Sequence, residues 1–198
     1  ALAALTSGDQ TLVERGLNHL GGRLLHQESL YGETGTAALY VAALLANSDS
    51  QPSLNPTWRI YQRPLRANLL AWLAGVAEVV SDKEEQAAHQ HGVVGWETLA
   101  TVQEVRALRP AMYQAVAGCL DDPDPMVAEA ALGAAVPLLD DPALVHLRPV
   151  LAPRVRHELA ISAERGWRFV AIRGLRAWGE DTTALAAHAE VAEYEQWL

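Results

Sequence analysis

The chain has 198 residues, of which half are hydrophobic and 20 % charged, with a formal net charge of −9. Such a composition excludes disorder as a general description, and the acidic balance argues against a generic nucleic-acid binder. Alanine and leucine dominate while phenylalanine occurs once, which favours helix over sheet.

The opening "ALAALTSGDQ" lacks the basic n-region of a signal peptide. A cytoplasmic chain that begins inside a longer gene product is expected. Val13, Leu17, Leu20 and Leu24 recur at helical spacing, and so do Ala38, Val41, Leu44 and Leu45. Between them, "HQESLYGET" gathers His26, Glu28, Tyr31 and Glu33 around a turn. Acid, base and phenol are the groups that proton transfer uses. Turn capping by Ser29 or Thr34, with Tyr31 packed and its hydroxyl paired, is the simpler expectation.

Residues 48–60 read as a Pro/Asn/Ser loop. Leu65, Leu69, Trp72, Leu73, Val76 and Val80 then form the longest apolar stripe. Residues 82–95, "DKEEQAAHQHGVVG", read as irregular. In them, His89 and His91 with Glu84 or Glu85 are only a fragment of a metal-ligand set, without an H-E-x-x-H frame. A solvated loop is expected there, and no metal or cofactor. Helices are expected over Glu97–Leu108 and Ala111–Leu120, with the single cysteine, Cys119, as a buried hydrophobe.

"LDDPDPMVAEAALGAAVPLLDDP" carries Asp-Asp-Pro at both ends. Leu132, Ala135, Val136 and Leu139 mark one helical face between them, with Asp122 or Asp124 as N-cap and Pro125 at the first helical position. The second tripeptide stops this helix. Beyond it come a helix interrupted by Pro149 and Pro153, one from Trp167 to Trp178 closed by Gly179, and a C-terminal helix from Thr182. No strand is expected. Leu69, Leu73, Val76, Leu132, Leu139 and Trp178 are the expected core.

Apolar helices end near Asp49, Asp82, Asp122, Asp141 and Asp181, and two of the intervals are 40 residues. Two helices per period of about 40–47 residues is a helical-repeat signature. "LDDPDPMVAEAALGAAVPLL", "GWRFVAIRGLRAWGED" and "LGGRLLHQESLYGETGTAALYVAALL" resemble bacterial, actinobacterial-type HEAT-repeat proteins. The resemblance covers most of the chain. It implies an all-α, right-handed superhelix of four to five helical hairpins, a single domain over residues 1–198. The family usually places arginine after the valine of its Asp-Pro turn, and here Ala128 follows Val127, so the inter-repeat Asp–Arg ladder should be incomplete at that turn.

Residues 143–178 hold Arg148, Arg154, Arg156, Arg165, Arg168, Arg173 and Arg176 against Glu158 and Glu164. They read either as a ladder to acidic turns such as Asp140, Asp141 and Asp181, or as a concave basic strip for an anionic partner. Trp72, Trp167 and Trp178 fall on apolar stripes. Trp58, Trp96 and Trp197 fall at loops or ends, where indoles serve as partner anchors. The candidate partner-binding set is Arg148, Arg154, Arg165, Arg168, Arg176, Trp58 and Trp96.

The sequence contains no Gly-rich phosphate loop, G-x-S-x-G elbow or C-x-x-C pair. A protein-binding scaffold or adaptor, of the kind that includes immunity proteins against basic toxins, is therefore the expected function, with no catalytic residues assigned. Two alternatives are kept. "SAERGWRFVAIRGL" looks like the Trp-containing helix of HEAT-like alkylpurine DNA glycosylases, but Phe169 or Val170 stands where a further arginine belongs. A small-molecule enzyme of secondary metabolism is the other.

Overall fold

The computed structural model describes residues 2–26, 29–47, 59–60, 62–162, 165–183 and 185, without the side chains of residues 26, 165 and 166. Among these residues the chain is predominantly helical and divides into two compact units, 1–141 and 142–198. The helices are α1 (Gln10–His19), α2 (Thr34–Ala46), α3 (Leu65–Val79), α4 (Asp82–Gln90), α5 (Ala100–Ala117), α6 (Pro125–Leu138), α7 (Arg148–Ile161) and α8 (Arg165–Ala177). No described helix is long and apolar enough to cross a membrane.

In the first unit α2 packs on α5 and α3 on α6, so two helix pairs distant in sequence lie against each other. Composition explains why these helices lie inside. α2, α3 and α6 are apolar most of the way round, and such a helix stays out of water only when neighbours cover several faces. Leu69, Leu73, Val76, Leu132 and Leu139 are fully buried as expected, each side chain contributing about 1.5–3 kcal/mol. Trp178 departs from the expectation: it lies just past the end of α8 and is only half-buried.

Local chemistry sets several helix ends. Asp9 caps α1 by accepting from the N–H groups of Thr11 and Leu12 at 2.8 and 3.2 Å. The helix expected to reach Leu24 instead passes at Leu20 into a π-helical segment, Leu20–Leu24, containing Gly21 and Gly22. Trp72 of α3 donates its indole N–H to the Leu20 carbonyl at 3.0 Å, fixing this segment from below. At α8 the end is a Schellman motif: Gly179 at φ +79° donates to Arg176, and Glu180 donates to Leu175.

Four expectations are corrected. Residues 82–90 are helix α4 rather than an irregular stretch, because Ser81 accepts from the Glu84 N–H at 3.2 Å and Asp82, Glu84 and Glu85 crowd the first turn. The two helices expected on either side of Pro110 are one, α5. The roughly 3 kcal/mol that an interior proline costs is offset by buried Val105, Met112 and Val116 around it. α7 likewise runs through Pro153 without a break. Finally, strands exist, though each is two residues long: β1 (Leu25–His26) with β2 (Ser29–Leu30), and β3 (Arg59–Ile60) with β4 (Arg63–Pro64), both antiparallel. The helix expected from Thr182 lies almost wholly outside the described residues.

Both Asp-Asp-Pro turns are anchored to earlier parts of the first unit. Asp122 accepts the Asp124 N–H and pairs with Arg66 of α3 at 2.6 Å. Asp124 caps α6 through the Met126 N–H and pairs with Arg59 of β3 at 2.9 Å. Ala128 leaves no arginine after the valine of this turn, and the cations that pair with its aspartates are Arg59 and Arg66, which precede it by more than fifty residues. The second turn does the same with a backbone donor: Asp140 accepts the Asp82 N–H at 3.2 Å.

In the second unit α7 and α8 pack on each other, and Leu151, Val155, Leu159, Ile172 and Leu175 on these helices are buried.

Candidate functional site

The end of α3 is closed by two arginines one turn apart on α5. Arg106 donates to the Val80 carbonyl at 3.0 Å, and Arg109 donates to the same carbonyl from a nearly fully buried position. Cations at a helix C-terminus satisfy orphan carbonyls and the helix dipole together. Burial pushes the Arg109 pKa down, while the nearby Asp140 opposes that shift and Arg106 adds to it.

Arg106 also builds the surface beyond. It pairs with Glu85 of α4 at 2.7 Å, and its guanidinium lies over the Trp96 ring, 5.2 Å from the centroid. Trp96 belongs to a 3-10 turn, Trp96–Thr98, at the end of a loop pinned at two left-handed glycines. Gly92 (φ +74°) closes α4 in a Schellman motif, where Val93 donates to Ala88 at 2.9 Å. Gly95 (φ +79°) starts the 3-10 turn, and its carbonyl accepts from both the backbone and the hydroxyl of Thr98.

Between and beyond these pins the loop turns apolar residues outward. Val94 is 95 % exposed, Val93 47 % and Leu99 51 %. The surrounding charge is acidic: Asp82, Glu84, Glu85 and Glu97 stand against Lys83 and Arg106. The Glu97 carboxyl is held below its usual range by a backbone hydrogen bond and by His89, whose Nε2 lies 3.1 Å from Glu97 Oε2.

A concavity of about 990 Å³ opens where α1, the π-helical segment and the start of α2 meet. His19, Arg23, Tyr31, Glu33 and Thr36 supply its polar groups. Beside it, the buried Thr34 hydroxyl accepts from the Tyr31 N–H at 2.9 Å and donates to the Leu24 carbonyl at 2.7 Å. Thr34 therefore ties the turn together from inside the helix rather than as its N-cap. Tyr31 is 41 % exposed, not packed away as expected. Glu28 and the His26 side chain lie outside the described residues.

Of the other sequence-flagged residues, Trp58, Trp197 and the Arg165 side chain also lie outside the described set. Arg148 and Arg154 sit half-buried on α7. Arg168 of α8 donates to the Ser162 carbonyl at 3.0 Å, and Arg176 donates to the buried Thr182 hydroxyl at 3.0 Å. Arg156 pairs with Glu180, and Arg173 stacks over Phe169. Asp181, one expected ladder partner, accepts instead from the Thr183 N–H and hydroxyl. These backbone and hydroxyl bonds hold its carboxyl below its usual range.

The sequence reading missed Arg106, Arg109, Val93, Val94 and Glu97. The S-x-x-E pattern of Ser81 and Glu84, a capping-box signature, is the overlooked signal for α4 and therefore for the loop behind it. Comparison of the chain with protein-family models, curated proteins and solved structures finds no match.

Proposed function

We infer that this chain is a protein-binding scaffold built from stacked helical hairpins of the HEAT-like kind, and that it presents the loop of residues 91–99 to a basic protein partner. The observation that carries this reading is the outward Val93–Val94 pair between two glycine pins, backed by an immobilised Trp96. Apolar side chains held in water on a pinned loop lose less ordering entropy when a partner covers them, and a central apolar anchor with a charged rim is the usual anatomy of an interface. The stacking of α2 on α5 and α3 on α6 supports the repeat reading, since hairpin repeats bury their faces on one another.

Charge supports the choice of partner. Residues 1–141 hold eight Lys and Arg against seventeen Asp and Glu, and such a field speeds encounter with a basic protein. The nucleic-acid alternative gains nothing from the arginines of α7 and α8, because Arg156, Arg168 and Arg176 each hold a partner within their own unit. The cleft at Tyr31 and Arg23 favours the small-molecule alternative, through its volume and its mixed polar lining.

The deciding experiment places a photo-crosslinking residue at position 94 in the native host and compares it with one at position 103, on an exposed face of α5. Crosslinks to one basic protein from position 94, lost when Trp96→Ala is added, support the scaffold. Crosslinks equal from both positions, or none, defeat it.

A further inference from the structure

Glu85 and His89 lie four residues apart on α4 and therefore project from the same face, one turn above the other. The 3-10 turn brings Glu97 to them from the far side of the loop. One ligand atom from each of the three lies within 4.8 Å of the others. We propose that Glu85, His89 and Glu97 form a binding site for a divalent transition-metal ion, zinc in the first instance, which staples the end of α4 to the 3-10 turn across the 90–96 loop.

The geometry suits that ion. Two donors at roughly 2.0–2.1 Å from a tetrahedral zinc stand about 3.3 Å apart, and His89 Nε2 is already 3.1 Å from Glu97 Oε2. Glu85 is held through Oε2 by Arg106 and offers a carboxylate oxygen within 4.8 Å of the other two donors. Arg106 is itself fixed by the Val80 carbonyl and the Trp96 ring, so it orients Glu85 as an outer-shell partner orients a ligating carboxylate. An imidazole with two carboxylates selects zinc, cobalt or nickel over magnesium and calcium, which prefer oxygen throughout.

The charge balance is also met. With Arg106 and Lys83 counted, the surroundings remain acidic. His89 is more than half exposed at its side chain, so the coordination sphere opens to water, which completes it. His91, the other histidine of "HQH", sits at the end of α4 and is not among these three ligands.

The test is calorimetric titration of the chelator-stripped full chain with zinc chloride, repeated with cobalt chloride while the visible absorption is followed. One equivalent of zinc, a cobalt spectrum with nitrogen and oxygen ligation, and slower proteolysis within residues 90–96 are expected. His89→Ala and Glu97→Gln should each weaken zinc by at least about tenfold, the scale already associated with losing an outer-shell partner. His91→Ala should leave it unchanged. Glu97→Gln keeps shape and hydrogen-bonding capacity, so it reports on the site even if His89→Ala perturbs the loop. No binding by the wild-type chain, or equal losses for His91→Ala and His89→Ala, overturns the proposal and leaves the contact between His89 and Glu97 as a surface hydrogen bond.

Discussion

Arg66 of α3 and Asp122 of the first Asp-Asp-Pro turn lie 2.6 Å apart with only 11 % and 4 % of their side chains exposed. Two residues away, Asp124 makes a pair of similar length with Arg59, whose side chain is 43 % exposed. The same turn thus holds one nearly dry ion pair and one wet one. Removing one partner of a buried pair strands the other charge, at about 3–5 kcal/mol, whereas an exposed pair contributes about 0–1 kcal/mol. Arg66→Ala should therefore lower the urea midpoint far more than Arg59→Ala. Equal midpoints for the two variants would show that Asp122 is solvated in solution.

Leu73 is fully buried on α3, the helix packed on α6. Truncation to alanine removes apolar contacts and leaves a cavity that the surrounding helices fill only in part. A loss of about 2–5 kcal/mol is expected for Leu73→Ala, read from equilibrium denaturation. Leu39→Ala on α2, where the side chain is 42 % exposed, should fall well below that range.

Helix periodicity made the helical class and most of the core legible, because Leu69, Leu73 and Val76 repeat at a spacing that only one face of a helix satisfies. The cap at Asp124 and Pro125 was legible because the Asp-Pro pair stands directly before an apolar helical run, whereas the Ser81 cap before the polar α4 was not. Where long-range partners decide, the sequence was mute. Nothing local in "RALRP" says that Arg106 and Arg109 close a helix more than twenty-five residues earlier, or that burial carries α5 across Pro110. Trp96 was singled out from its loop position alone. The outward Val93–Val94 pair could not be, since valines following "HQHG" read equally well as the start of a buried segment.

Cys119 is 3 % exposed, and burial pushes its thiol pKa up, with Arg66 opposing and Asp122 adding to the shift. The native state therefore holds the thiol proton more tightly than the unfolded chain does. The resulting stabilisation is present below the unfolded pKa of about 8.5 and declines as pH rises from there toward the native pKa. At neutral pH the folded chain should resist an aromatic disulfide reagent and react fully in denaturant. Rapid labelling of the native chain would show that the end of α5 opens.

The arginines of α8 separate a structural role from a partner-binding one. Arg168 supplies a cation at the C-terminal end of α7 through the Ser162 carbonyl, and Arg176 holds the buried Thr182 hydroxyl beyond the Gly179 turn. Each hydrogen bond contributes about 0.5–1.5 kcal/mol, with charged donors at the upper end or above. Arg168→Ala and Arg176→Ala together should lower the melting temperature of the 142–198 unit. Under the scaffold reading, partner affinity at low and high salt should stay unchanged, because the partner is assigned to residues 91–99. Val94→Asp should give the opposite result: an unaltered melting temperature, since a side chain 95 % exposed carries almost no folding energy, and a weakened complex. If the double arginine variant instead melts normally and binds poorly with a reduced salt dependence, the partner contacts the arginine strip, and the loop is not the anchor.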